Sequence, residues 1–207
     1  MSADSTAALP LEGSERLLLS ELSHRLLNEL TAAVVVIEMA CTRVRNAHVR
    51  QTLEAVRESL MSFARVHQAL HAPQPRSRIN TQSYLRHLCE AIQQAKLRQN
   101  GIALQYTVQA STIDAEKCWK LGMIIFELVT NSAKHAFSGS PGTIRVELNC
   151  VRRTLQCRVT DNGSSHSSLA EPGTGLKIVN ALVRELGGIF SQRVDVGGWV
   201  STVTFPL

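Results

Sequence analysis

A histidine with polar neighbours stands near the start of the chain, in Glu21-Leu-Ser-His24-Arg25-Leu-Leu-Asn28. Steps of three and four place Glu21, His24 and Asn28 on one face of a helix. An imidazole is neutral near pH 7 and can attack an electrophile through a ring nitrogen, and Glu21 could orient the ring or accept its proton. By itself the group is more typical of the solvated face of a salt-bridged helix, so it defines only a candidate nucleophile.

A second polar face lies in the middle of the chain. Glu127, Asn131 and His135 recur at steps of four, with Lys134 beside them. An amide oxygen can bind Mg²⁺, which prefers hard oxygen ligands, and an ammonium group can neutralise phosphate charge. A carboxylate, an amide and an ammonium along one helix face therefore suit a metal-bound triphosphate. Three such residues would, however, usually be the solvated face of an amphipathic helix.

Two glycine-containing segments follow. Asp161-Asn162-Gly163 stands where an alternating strand ends, and a carboxylate there can accept a hydrogen bond from an exocyclic amine. Gly173-Thr174-Gly175-Leu176 opens a helix, where glycines let free backbone N–H groups approach an anion. Each segment on its own is a weak signal, because turns and loop-to-helix junctions often contain glycine.

Two long helical patterns carry the N-terminal histidine. A loose tail over residues 1–13 precedes Ser14, which stands at an N-cap position, and apolar residues then recur at helical spacing to Val44 and again over residues 53–70. The short connection near residues 45–48 predicts an antiparallel helical hairpin. Its apolar stripe is largely uncovered, which favours a homodimeric four-helix bundle. We predict a first domain over residues 14–72.

The pattern changes after Pro73-Gln74-Pro75, which predicts a linker over residues 73–79. Asp114 occupies the N-cap position of a long helix that follows. Helices and strands are mixed without strict βαβ alternation, so residues 80–207 are predicted to form an α/β two-layer sandwich and the chain belongs to the α+β class. The predicted helices are 81–99, 115–136 and 176–186, and the predicted strands are 102–108, 143–151, 154–160, 189–194 and 199–205.

Composition excludes several classes of protein. The chain has 207 residues, of which 44% are hydrophobic and 19% charged, values that are unlike those of a disordered chain. No apolar run approaches the roughly 20 residues of a membrane span, and residues 1–10 show no signal peptide, so a cytoplasmic location is expected. The five cysteines lack metal-ligand spacing and are interpreted as reduced thiols. Cys150 and Cys157 could face each other across the predicted hairpin.

The net charge of +5 is unevenly distributed: it is −1 up to Ala72 and +6 from Pro73 onward. A basic C-terminal part suits an anionic ligand such as a nucleotide. The basic residues are not interleaved with aromatic ones and form no DNA-reading motif. Nucleic acid is therefore not expected as a partner.

The order and spacing of these segments resemble a bacterial two-component sensor histidine kinase, of the HWE-like subclass whose phosphoacceptor box reads H-R-x-x-N. The sequence His24-Arg25-Leu26-Leu27-Asn28 fits that box. The resemblance covers roughly residues 14–207. It continues in Arg65–Leu70, which resembles the end of the second helix, Glu127–Phe137, which resembles the N box, and Asp161–Gly163 and Gly173–Gly175, which resemble the two glycine boxes.

The resemblance implies a dimerisation and histidine phosphotransfer domain followed by an ATP-binding sandwich of the gyrase/Hsp90/histidine kinase (Bergerat) type. His24 would take the γ-phosphoryl group of ATP and pass it to an aspartate of a response-regulator receiver domain. Asn131 would hold Mg²⁺, and Glu127 would orient water or metal. The other residues that the resemblance assigns are Glu21, Arg25 and Asn28 beside the histidine, Lys134 and His135 at the phosphates, Asp161 at the adenine amine, and Gly163, Gly173, Thr174, Gly175 and Leu176 around the nucleotide and its lid.

One position departs from the family pattern. The first glycine box usually reads D-x-G-x-G, but Ser165 replaces its second glycine, which stiffens the loop and could weaken nucleotide binding. No sensor or receiver pattern is recognisable, so the signal is expected to come from a separate sensor protein, or the chain serves as a phosphorelay step. The alternatives are a histidine phosphotransferase whose degenerate ATP-binding domain serves for docking, and a serine kinase or anti-sigma module. The histidine-bearing hairpin argues against the last.

Overall fold

The computed structural model describes residues 12–70, 78–164, 174–195 and 197–207. The chain divides into two compact units, Met1–Arg57 and Glu58–Leu207. Residues 73–77 of the linker predicted over residues 73–79 lie outside the described residues, whereas Arg78 and Ile79 belong to a strand, Arg78–Asn80. The predicted domain bounds remain a prediction. No helix within the described ranges combines the length and the apolar character needed to cross a bilayer.

A helical hairpin opens the chain, and the first unit ends within its second helix. Helix α1 spans Glu12–Arg43 and helix α2 spans Ala47–Ala69, so α1 begins before Ser14 and the N-cap predicted there is wrong. The tight connection near residues 45–48 is confirmed, because only residues 44–46 separate the helices. Asn46 starts α2, since its side-chain oxygen accepts hydrogen bonds from the amides of His48 and Val49 at 2.9 and 3.3 Å.

The second unit contains strands and helices in mixed order. The strands are β1 Arg78–Asn80, β2 Ile102–Val108, β3 Thr112–Asp114, β4 Gly142–Val151, β5 Thr154–Asp161, β6 Ile189–Asp195 and β7 Gly198–Pro206; the helices are α3 Thr81–Ile92, α4 Ala115–His135 and α5 Thr174–Glu185. They form a five-stranded sheet in the order β2-β4-β5-β7-β6 and a two-stranded sheet of β1 and β3. Strands β2 and β4 are parallel and the other neighbours are antiparallel.

One core joins the helices to one face of the large sheet. Alternate residues of β4 and β5, among them Val146 and Val159, are buried against apolar residues of α4 such as Ile125 and Val129. The predicted two-layer α/β sandwich is therefore confirmed. The helix predicted over residues 81–99 changes character after α3, into a π-helical segment at Gln93–Leu97 and a 3₁₀ turn at Arg98–Asn100.

The pairing of β4 with β5 corrects one expectation about the cysteines. Cys150 lies opposite Leu155, and Cys157 lies opposite Leu148, so the two thiols do not face each other. Cys157 is buried, and burial raises the pKa of its thiol to about 12. The thiol therefore stays protonated near neutral pH, and all five cysteines are free.

The turn between β4 and β5 offers a test of backbone strain. Arg152 and Arg153 have φ values of 50° and 64°, in the left-handed region where asparagine and glycine are preferred. Replacing the pair by Asn-Gly is expected to raise the free energy of unfolding by about 1–2 kcal/mol, because left-handed backbone is costly for other residues. Urea denaturation followed by circular dichroism measures the change. The Ala-Ala variant removes the same charges and should give no gain; an equal gain there would contradict the strain argument.

Candidate functional site

Helix α4 presents the polar face that the sequence predicts. Ile125, Leu128 and Val129 are buried in the core, whereas Glu127 and Asn131 are only half-buried. These two side chains stand one turn apart, as their spacing of four requires. The last turn of the helix carries Lys134 and His135, both of them exposed.

Asp161 ends β5 and is held in place by backbone donors. Its side chain is only 6% exposed. The amide of Gly163 donates to Asp161 Oδ1 at 3.2 Å, and the amide of Trp199 donates to the same oxygen at 3.3 Å. In the described part of the chain both bonds use Oδ1, so the carboxylate is oriented and Oδ2 is available to another donor.

Close approaches bring α5 and the segment after β5 against α4. A Cβ atom at Gly175 would lie 2.6 Å from Glu127 Oε2 and 3.5 Å from the side-chain amide of Asn131. A Cβ atom at Gly163 would overlap the carbonyl group of Ala136. The clash at Gly163 is with backbone atoms, so glycine is required there, whereas a side chain at position 175 would have to displace the end of the Glu127 side chain.

The structure thus brings some of the residues that the sequence predicts around a nucleotide into two contacts with α4. Glu127 and Asn131 of α4 meet Gly175 at the start of α5, and Gly163 contacts the end of α4 directly after Asp161. Leu176 is half-buried and packs against the core. Gly173 and Ser165 lie outside the described residues, as does the side chain of Thr174.

Two further residues position Asp161 and were not predicted. Gly198 begins β7 with a φ of 136°, and a Cβ atom there would overlap the backbone carbonyl of Asp161. Its neighbour Trp199 donates the second hydrogen bond to the carboxylate. A pair of glycines before a strand, Gly197 and Gly198, is the sequence signal that could have indicated this close approach.

The donor set around Gly175 suits a magnesium ion. Glu127 supplies a carboxylate and Asn131 an amide oxygen, and Mg²⁺ takes few such protein ligands because it keeps waters and binds phosphate oxygens. Gly175 has no side chain to fill the space beside them. No cluster of three or more His, Cys, Asp or Glu residues able to hold a metal occurs in the described ranges, so the ion would depend on phosphate oxygens for the rest of its coordination.

The candidate nucleophile lies in α1 of the first unit. His24 is helical, but its side chain lies outside the described residues. Glu21 Oε1 accepts a hydrogen bond from Arg25 Nε at 3.0 Å, and both side chains are exposed. The carboxylate is therefore paired with a guanidinium, which gives no support to the expectation that Glu21 orients the imidazole. Asn28 is exposed one turn further along.

Comparisons with known proteins agree with this arrangement. A family model described as histidine kinase matches residues 21–96, and one described as histidine kinase-like ATPase domain matches residues 84–203. The sensor histidine kinases PdtaS of Mycobacterium tuberculosis and Mycolicibacterium smegmatis are both 27% identical to the chain, over 84% and 90% of its length.

A solved structure shows the same fold. The histidine kinase domain of the Erythrobacter litoralis EL346 blue-light-activated histidine kinase superposes with a TM-score of 0.63 at 22% identity, over 87% of this chain and 96% of that one. The chain spans only 36% and 39% of the length of the two PdtaS proteins.

Proposed function

We propose that this chain, which belongs to the histidine kinase family and carries that family's ATPase-type domain over residues 84–203, is a protein-histidine kinase that transfers the γ-phosphoryl group of ATP to His24. The observation that carries the proposal is the meeting of α4, α5 and the end of β5. There Gly175 lies against Glu127 and Asn131. Asp161, the last residue of β5, is buried, and backbone hydrogen bonds orient its carboxylate.

Each site residue has a role that its chemistry supports. Asp161 Oδ2 would accept a hydrogen bond from the adenine amine, because Oδ1 is already used by backbone donors. Asn131 and Glu127 would hold Mg²⁺, which neutralises the phosphate charge that develops during transfer. Lys134 and His135 are exposed at the end of α4 and would meet the phosphates. Because Gly163 and Gly175 lack side chains, the segment after β5 and the start of α5 would lie close to α4 with no side chain of their own in between.

The transfer itself needs positioning more than covalent help from the protein. The unprotonated ring nitrogen of His24 would attack the γ-phosphorus, and the bond from that phosphorus to the oxygen of the ADP leaving group would break. The phosphorylated imidazole would then release the proton of its second ring nitrogen. The phosphoryl group would next pass to an aspartate of a response-regulator receiver domain.

The first unit suits a homodimer. Exposed apolar side chains cover much of the hairpin, and burying them against a second copy would remove them from water. We propose that two hairpins form a four-helix bundle in the cytoplasm, with input from a separate sensor protein. The exposed side chains are Leu26, Val35, Val36, Met39, Val49 and Val56.

The described residues do not favour the histidine phosphotransferase alternative. One of the two features that favour that alternative is Ser165, which lies outside them; the other is the lack of a recognisable sensor pattern. Within the described residues, the contact of Gly175 with the Glu127 carboxylate and the Asn131 amide supports an intact nucleotide site. The kinase therefore remains the better explanation of the site.

Replacing Asp161 with asparagine tests the nucleotide site directly. The affinity for ATP with Mg²⁺ is expected to fall about 30-fold, because one hydrogen bond to a charged acceptor is worth about 2 kcal/mol. Isothermal titration calorimetry on the full chain measures it. Asp114→Asn is the matched control, because Asp114 is exposed at the opposite end of α4 and makes no side-chain capping bond. An equal loss in both variants would contradict the adenine assignment.

A further inference from the structure

The last turns of α2 pack with the ATP-binding unit. The compact unit that contains the nucleotide site begins at Glu58, so the last twelve residues of this helix belong to it. Val66 is only 4% exposed and belongs to the core of that unit. The preceding residue is Arg65, whose Nη1 donates a hydrogen bond to Gln94 Oε1 at 2.6 Å. The end of α2 is therefore fixed to the segment that follows α3.

A cation–π contact makes the second link. Lys96 Nζ lies 4.0 Å from the centroid of the Phe63 ring, well within the roughly 6 Å over which this attraction acts. Phe63 is 44% exposed, so the contact lies at the edge of the core and can be exchanged for another partner of the ammonium group. It is the weaker and more adjustable of the two links.

The segment that carries Gln94 and Lys96 is rigidly held on its other side. It is the π-helical stretch Gln93–Leu97, and π-helical turns often occur at functional positions. Gln93 Nε2 donates to the carbonyl of Ile102 at 2.9 Å, and Gln93 Oε1 accepts from the amide of Leu104 at 2.5 Å. A displacement of the Lys96 side chain would therefore not unfold the segment, which is bonded to β2.

The segment that carries Lys96 packs against α4, the helix whose last turn carries Lys134. Burial lowers the pKa of Lys96, and the positive charge of Lys134 lowers it further. Lys134 is the residue proposed above to meet the phosphates. Two ammonium groups that repel each other in this way are stabilised when a polyanion binds beside both, and charge-assisted hydrogen bonds to phosphate are stronger than an exposed cation–π contact.

We infer that Lys96 is a second phosphate-binding residue that couples nucleotide binding to the end of α2: it holds Phe63 when the site is empty and turns toward the terminal phosphate of a nucleoside triphosphate when one binds beside Lys134. The inference rests on the proposed function. It adds Lys96 as a residue that distinguishes a triphosphate from a diphosphate. It also makes the contact between the end of α2 and the π-helical segment depend on the bound nucleotide.

Three variants of the full chain test both halves of the inference. Lys96→Met keeps the apolar stem over Phe63 but removes the charge, so the affinity for ATP should fall about tenfold and that for ADP less than about threefold. Phe63→Leu removes the aromatic ring only, so it should leave the ATP affinity within about twofold of the wild type. Arg98→Met, an exposed cation just after the same segment, is the charge control and should change neither affinity.

Hydrogen-exchange mass spectrometry on residues 58–70 measures how firmly the end of α2 is held against the π-helical segment. In the wild type, ATP with Mg²⁺ should speed amide exchange there about threefold, whereas ADP should not. Lys96→Met and Phe63→Leu should show the faster exchange without nucleotide. Unchanged ATP and ADP affinities in Lys96→Met, or exchange that ignores ATP in the wild type, would overturn the inference while leaving the kinase intact. A wild-type chain that binds neither nucleotide would overturn the proposed function itself.

Discussion

Replacing His24 with glutamine is expected to reduce acid-labile labelling of the chain by γ-labelled ATP at least about a thousandfold, to background. Glutamine has a similar size and suits a helix, but its amide nitrogen shares its lone pair with the carbonyl and cannot attack phosphorus as an imidazole nitrogen does. The affinity for ATP should stay unchanged, because the residues proposed to bind nucleotide all belong to the unit that begins at Glu58. Phosphorimaging after acid and base treatment, beside calorimetry, measures both properties.

The control for this variant is His48→Gln. His48 is exposed in the first turn of α2, and its replacement should leave the label at the wild-type level. Label that persists in His24→Gln would contradict the phosphoacceptor assignment. Label that survives acid in the wild type would indicate a phosphate ester on a hydroxyl group, and would favour the serine kinase alternative.

Periodicity explains why the elements of the site could be predicted. Residues alternate along β4 and β5 between core and surface, and Val146 and Val159 are buried where the pattern requires it. In α4 a step of four separates Glu127 from Asn131, and the apolar neighbours of both are buried. Helix α4 carries both buried core residues and the polar residues of the candidate site. One helical pattern in the sequence therefore indicated the core and the site together.

The partners of Asp161 could not be predicted in this way. Trp199 lies 38 positions along the chain, and its contact depends on the pairing of β5 with β7, which no local pattern states. The strands β1 and β3 have three residues each, too few for alternation to be recognised. Contacts of this kind depend on the order of the strands in the sheet or on very short strands, so they can be identified only in the folded structure.

The end of α2 shows another limit of pattern reading. The apolar spacing over residues 53–70 indicates a buried stripe but does not say which surface covers it. Val66 packs into the core of the unit with the ATPase-type domain, and Arg65 is bonded to Gln94 within that unit. The prolines at 73 and 75 favoured a boundary after the helix, because a break in periodicity marks where an element ends and not where a packing unit begins.

The positioning of Asp161 from β7 leads to the second large effect. Replacing Gly198 with alanine is expected to lower the free energy of unfolding by about 3 kcal/mol and the affinity for ATP about a hundredfold. The added Cβ atom would overlap the carbonyl of Asp161, and the φ of 136° is strained for any side chain. Strand β7 would have to move away from β5, taking with it the Trp199 amide that orients the carboxylate.

Gly197→Ala is the matched control, one residue earlier in the same turn. A Cβ atom at Gly197 would meet no heavy atom within 4 Å, so this variant should keep the unfolding free energy within about 0.5 kcal/mol of the wild type and the ATP affinity within about twofold. Urea denaturation and calorimetry compare the pair. If Gly198→Ala unfolds like the wild type yet loses ATP, the glycine acts on the nucleotide and not through strand packing. If both variants bind ATP normally, the hold of β7 on Asp161 does not matter for binding, and the geometry assigned to the adenine site is wrong.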